Sequence, residues 1–206
     1  MILCTEVIRL KIIGLCGGSG VGKGYVGKMF SELGITVIDT DAVYHELTSH
    51  SSPCLDEIRL AFGETVINAS GELDRAALSK IVFSDKERHK LLGDITYRHI
   101  LSRVRSIIGE LSAQGQICVI VDAPMLFESG FDKECDIILG VVASDSVRIK
   151  RIIERDGITD ERAAMRISNQ LSCDTIRKKC DFIIENNGDT ESLKRQIVEL
   201  ANKFLK

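Results

Sequence analysis

Five glycines and a lysine fall within eight residues, Gly17-Gly18-Ser19-Gly20-Val21-Gly22-Lys23-Gly24. Glycines at this density let successive backbone N–H groups curl around an anion, and a helix starting there adds its positive end. The lysine then reaches the β- and γ-phosphates of a nucleoside triphosphate as a point charge. Gly18, Ser19, Gly20, Val21, Gly22, Lys23, Gly24 and Tyr25 are therefore the expected nucleotide-binding positions, with Lys23 also catalytic. Gly24 departs from the usual pattern, because a Ser or Thr hydroxyl is expected there to hold Mg²⁺. Tyr25 sits about 100° further around a helix, so its hydroxyl does not replace the missing one.

Three further groups have types and spacings suited to phosphoryl transfer. Asp39 and Asp41 are two residues apart and would point to one side of an extended segment. One could accept a proton from an attacking hydroxyl and the other could hold metal-bound water. The alternative for Asp41 is a helix N-cap, since Ala42-Val43-Tyr44 follows. Asp122 ends the apolar run Cys118-Val119-Ile120-Val121, as the carboxylate of a Walker B strand does, so Asp122 and Asp41 are the candidate metal ligands. Arg148, Arg151 and Arg155 share one helical face, and Arg162 and Arg166 repeat the spacing. Arginine forks match phosphate oxygens, which predicts a lid closing Arg151 and Arg155 over the transferring group. The alternative is solvated charge paired with Glu154 and Glu161.

These residues need a scaffold, and the hydrophobic pattern supplies one. Apolar runs at 8–15, 35–39, 117–122, 136–142 and 181–185 are continuous rather than alternating, as in buried parallel strands. Helical patterns separate them, which predicts βαβ units and an α/β fold around a five-stranded parallel sheet. The gap at 42–116 exceeds what one crossover helix needs and holds helical patterns at 76–83 and 87–111. It is expected to be a helical substrate-binding insertion, with a second insertion, the lid, at about 144–179. Leu193, Ile197, Leu200 and Phe204 form a helical core stripe. Asp156-Gly157 marks a turn between the two arginine-bearing helices.

Composition narrows the class. The 206 residues are 44% hydrophobic with a net charge of −3, so no global basic field argues for nucleic acid. Between Arg148 and Lys179, nine Lys/Arg face five Asp/Glu, which suits a small polyanion. The seven cysteines are odd in number, form no CxxC pair and mostly lie in or beside apolar runs. They read as reduced and mostly buried, in a cytoplasmic protein. No signal peptide is evident, and no apolar run nears the roughly 18 residues of a membrane span.

Taken in order, these segments resemble the dephospho-CoA kinase family over nearly the whole chain. The resemblance rests on Gly17 to Lys23, Gly34 to Asp41, Leu73-Asp74-Arg75-Ala76-Ala77-Leu78, Asp122-Ala123-Pro124-Met125-Leu126-Phe127-Glu128, Arg151 to Asp156, and Asp181 to Gly188. It implies a three-layer P-loop kinase fold, a helical CoA domain and a lid. It also implies ATP with Mg²⁺ as donor, and phosphorylation of the ribose 3′-hydroxyl of dephospho-CoA. Asp41 falls at the family's catalytic-base position, and Asn187 falls among its nucleotide-binding positions. Gly24-Tyr25 replaces the family's Ser-Thr, Tyr97-Arg98 stands where His-Pro is expected, and Met125 replaces leucine. A related P-loop kinase for a nucleoside monophosphate or small metabolite is the alternative. A GTPase is disfavoured: Asp-x-x-Gly is absent and Asn186-Asn187-Gly188-Asp189 lacks the lysine of its second motif. A nucleotide-binding module without catalysis is the third reading, motivated by Gly24.

Overall fold

The computed structural model describes residues 9–206. Its centre is a five-stranded sheet in the order β2-β3-β1-β4-β5. The strands are β1 (Lys11–Cys16), β2 (Thr36–Asp39), β3 (Cys118–Asp122), β4 (Ile137–Val142) and β5 (Phe182–Glu185). β1 pairs in parallel with β3 on one side and β4 on the other, and β4 pairs in parallel with β5. The chain therefore changes sides at β1, and α/β sheets bind ligands at such a switch point. All five expected strands form, each slightly shifted or shortened. Ile8 lies outside the described residues, and Leu10 flanks β1 as buried coil. Asp136 and Asp181 fall outside their strands for a clear reason. Their carboxylates accept from neighbouring-strand amides, Ile12 N at 2.8 Å and Ile138 N at 2.7 Å, so each side chain finishes a ladder.

Helices cover the sheet because their apolar residues recur every three or four positions. α1 (Lys23–Glu32) buries Val26, Met29 and Phe30. The C-terminal helix, α9 (Thr190–Phe204), buries Leu193, Ile197, Ala201 and Phe204, while Leu200 packs half-buried beside them. Phe204 meets Phe30 and Phe182 with ring centroids 6.0 and 6.1 Å away. Each such side chain contributes about 1.5–3 kcal/mol by leaving water. Between β4 and β5 run α6 (Asp145–Asp156), α7 (Asp160–Ser168) and α8 (Cys173–Lys179). The expected turn at Asp156-Gly157 is present: Gly157 takes φ +64°, which glycine adopts without a Cβ clash.

The chain divides into two compact units, Asp39–Glu110 and the segments on either side of it. The first holds α2 (Thr40–Ser49), α3 (Pro53–Phe62), α4 (Arg75–Phe83) and most of α5 (Lys86–Ala113). Cys54, Leu55, Ile58, Phe62, Val66 and Leu78 belong to a core of its own. Ser52 caps α3 ahead of Pro53, and Asp74 caps α4 through the amides of Ala76 and Ala77 at 3.0 and 2.9 Å. The Leu73-to-Leu78 block thus carries structure: Arg75 also donates to Thr48 Oγ1 at 2.8 Å and stacks over Tyr44. Among the described residues, no helix is long and apolar enough to cross a membrane.

Candidate active site

β1 ends at Cys16, and the chain turns through the glycines into α1. Gly20 and Gly22 take φ of +79° and +85°, where a Cβ would strain the backbone. Gly22 is the N-cap of α1, and among the described residues no side chain caps that helix start and no acid lies in its first turn. The first amides of α1 therefore present a positive end to an anion. Lys23 forms an ion pair with Asp122, the last residue of β3; Asp122 is only 7% exposed. The two residues expected to meet phosphate and metal thus meet each other.

The loop is held from behind by a polar brace. Arg148 is 1% exposed although charged. Its Nε donates to Ser19 O at 3.0 Å, and its other nitrogens reach Asp145 Oδ1 at 3.2 Å and Gln170 Oε1 at 3.3 Å. Gln170 grips the same residue: its Oε1 accepts from Ser19 N at 2.8 Å and its Nε2 donates to Ser19 Oγ at 3.1 Å. Arg151 donates to Gly20 O and Val21 O at 3.3 and 3.4 Å, and to Asn186 O at 3.0 Å. Buried Asn186 donates to Val21 O at 2.8 Å. This packing sets a second glycine requirement. A Cβ on Gly18 would lie 2.5 Å from Arg148 Nη2, and one on Gly20 would lie 2.6 Å from Arg148 O. Gly24 differs, because a Cβ there would meet nothing within 4 Å.

The arginines of α6 thus share a face but not an environment. Arg148 and Arg151 serve the loop, whereas Arg155 pairs with Asp156 through Nε at 2.7 Å, and Arg166 pairs with the same carboxylate. Hydrogen bonding, first from Arg155 and then from Arg166, holds the Asp156 carboxyl down at about 2. The alternative reading pairs these arginines with Glu154 and Glu161; Asp156 takes Arg155 and Arg166 instead. Beside the brace lies a cavity of about 490 Å³ lined by Ser144, Arg148, Gln170, Cys173 and Asn187, among others. Asn187 Oδ1 accepts from Ser144 N at 2.8 Å at its wall. Gln170 and Asn186 were not singled out from the sequence. Nothing marks a lone Gln as a loop partner when 151 residues separate it from Ser19.

The aspartate pair needs correcting. Asp39 and Asp41 do not share an extended segment. Asp39 ends β2 and its carboxylate accepts from Asp41 N at 2.8 Å and Ala42 N at 3.3 Å. Asp39 is therefore the N-cap, and Asp41 lies in the first turn of α2. The cap expected as one reading of Asp41 belongs to its neighbour. At the position of the expected His-Pro pair, Arg98 donates to Glu57, whose second oxygen meets His99 Nε2 at 2.8 Å. Those bonds, His99 first, lower the Glu57 carboxyl below its ordinary range.

Comparison with known proteins agrees with this geometry. A family model described as dephospho-CoA kinase matches residues 11–192. A dephospho-CoA kinase of Carboxydothermus hydrogenoformans is 33% identical over 96% of this chain and 96% of its own. The crystal structure of TT1252 from Thermus thermophilus superposes with a TM-score of 0.80 at 30% identity, covering 96% of this chain and 99% of that one. A dephospho-CoA kinase from Campylobacter jejuni shares the fold at a TM-score of 0.72 and 23% identity, over 96% and 98% of the two chains. The loop at the switch point, its brace and the nearly full-length match lead to one assignment: the chain belongs to the dephospho-CoA kinase family.

Proposed function

We propose that this protein transfers the γ-phosphoryl group of ATP to the ribose 3′-hydroxyl of dephospho-CoA, giving CoA and ADP. The observation that carries the reading is the braced phosphate loop at the sheet's switch point, in a chain of this family. ATP phosphates take the loop amides of Gly18 to Tyr25, and the 490 Å³ cavity beside Asn187 has the size for the base and ribose. Lys23 leaves Asp122 for the β- and γ-phosphates. Asp41 accepts the proton of the 3′-hydroxyl as its oxygen attacks phosphorus and the bond to the ADP oxygen breaks. Arg155, and Arg151 where the brace releases it, offset charge on the transferring group. The Asp39–Glu110 unit takes dephospho-CoA, and residues 144–179 form the lid.

Mg²⁺ fits this donor set through ATP rather than through a protein cage. Mg²⁺ prefers few carboxylates, substrate phosphates and several waters. The chain offers the Asp122 carboxylate beside the loop, and Gly24 offers no hydroxyl. Among the described residues no cluster of three or more His, Cys, Asp or Glu could hold an ion alone. The bound metal would supply charge neutralisation on the phosphates, with Asp122 and water as its protein-side contacts and Asp41 the second candidate. No role with nucleic acid or a membrane follows from any of these features, and the reading places the reaction in the cytoplasm.

The test is incubation with ATP, Mg²⁺ and dephospho-CoA, following CoA by mass, for the parent and for Asp41→Asn. The parent should form CoA. The variant keeps size and hydrogen bonding but not basicity, so turnover should fall by roughly 10²–10⁴ with ATP affinity retained. ADP formation with a nucleoside monophosphate and none with dephospho-CoA would overturn the substrate. Near-parental turnover in Asp41→Asn would overturn the base.

A further inference from the structure

Two thiols meet on one face of the sheet, beside the phosphate loop. Cys16 is the last residue of β1, 2% exposed, and the first loop glycine follows it. Cys180 follows α8 and leads into β5; it is partly exposed. β4 lies between β1 and β5, so the two cysteines could not touch across an ordinary strand. They do touch, with Sγ atoms 3.5 Å apart. Gly140 is the reason. It pairs with Cys16 in register, and a Cβ on it would lie 2.9 Å from Cys180 Sγ and 2.8 Å from Ile176. The missing side chain leaves a window over β4 through which Cys180 reaches Cys16.

Other thiols are engaged elsewhere. Cys135 Sγ donates to Phe131 O, and Cys173 Sγ donates to Ala143 O, both at 3.4 Å. The contact also makes the two thiols unlike. The hydrogen bond from Cys16 lowers the Cys180 thiol, while the same bond and burial raise Cys16. The more exposed sulfur, Cys180, is the one reached first from solvent, and the buried one waits against it.

We propose that Cys16 and Cys180 form a reversible oxidation site for small hydroperoxides that tightens the base of the phosphate loop. The Cys180 thiolate attacks the peroxide oxygen, the O–O bond breaks, and the departing oxygen takes a proton and leaves as water from hydrogen peroxide or as an alcohol from an organic hydroperoxide, giving a sulfenic acid. Cys16 sulfur then attacks Cys180 sulfur; the S–S bond forms, the S–O bond breaks, and hydroxide departs with the Cys16 proton as water. Two thiols lose two electrons and two protons, and hydrogen peroxide becomes two waters. A thiol donor reverses the step by exchange. Bonding requires the sulfurs to close from 3.5 Å to about 2.05 Å, a shift of about 1.5 Å. That strain falls on the residue before Gly17 and on the end of the 144–179 segment, whose Gln170 and Arg148 hold Ser19.

The site rests on geometry alone; its effect on ATP rests on the function proposed above, and the two readouts separate them. The full chain is treated with hydrogen peroxide, quenched, alkylated and digested with trypsin. A mass loss of two hydrogens should map to peptides 12–23 and 180–194 joined through Cys16 and Cys180. ATP affinity, measured by binding, should drop on the order of tenfold and return with reductant. Cys180→Ser should bind ATP normally and lose both the cross-link and the peroxide response. Unchanged thiols, or a link through Cys135 or Cys173, would overturn the site. A cross-linked protein with unaltered ATP affinity would overturn the coupling.

Discussion

At the scale of single residues, Gly24 carries the sharpest consequence. Its position faces open space, so a serine there fits without displacing a neighbour. The hydroxyl would give Mg²⁺ an additional ligand and relieve an early-helix glycine, which costs about 0.5–1 kcal/mol relative to alanine. Gly24→Ser should therefore lower the Mg²⁺ concentration for half-maximal rate and for half-maximal ATP binding at fixed ATP. Unmoved midpoints in both titrations would show that the missing hydroxyl does not govern the metal. The residues visible in the sequence are those whose chemistry is local. Lys23 and the glycines could be named because a loop between a strand and a helix dictates them, and Asp122 because it ends an apolar run. Asp39 was half-read, since period-two alternation continues only if the strand does, and its own carboxylate ended the strand. Arg148 was visible as an arginine on a helical face. Its burial was not, because that depends on Ser19 and Gln170 arriving from two distant segments.

Among the elements, α6 acts as a spine behind the phosphate loop. Arg148 and Arg151 fix the loop, and the helix's C-terminal end joins the Arg155–Asp156–Arg166 cluster at the turn into α7. Arg148→Met keeps an unbranched apolar stem about as far as Nε and removes every donor. Ser19 O then loses its buried partner, and the expected cost is about 1–3 kcal/mol in chemical denaturation, with ATP affinity reduced as well. A parental denaturation midpoint with parental ATP affinity would mean the brace contributes nothing. The strands and long helices were legible because their hydrophobic periods are strong. Their ends were less so, since Asp136 and Asp181 terminate strands through side-chain bonds to a neighbour that the pattern does not reveal.

For the whole molecule, two units with separate cores should respond separately to ligands. ATP alone should slow amide hydrogen exchange in residues 17–25 and around 144–187, while dephospho-CoA should protect amides within 39–110. Protection by dephospho-CoA confined to the other unit would move the acceptor site. The parallel sheet has a further consequence, for how the protein is made. Lys11 pairs with Cys118, Ile13 with Ile137 and Leu139 with Phe182, so among the described residues these strands do not find their partners nearby in the chain. Pairings of this kind form late, after long loops close. The phosphate loop at 17–24 is synthesised well before its brace, which needs Arg148, Gln170 and Asn186. On a translating ribosome the brace thus stays incomplete until Asn186 has emerged, and a nascent chain stalled before Asn186 carries the glycine motif but not the finished nucleotide cradle.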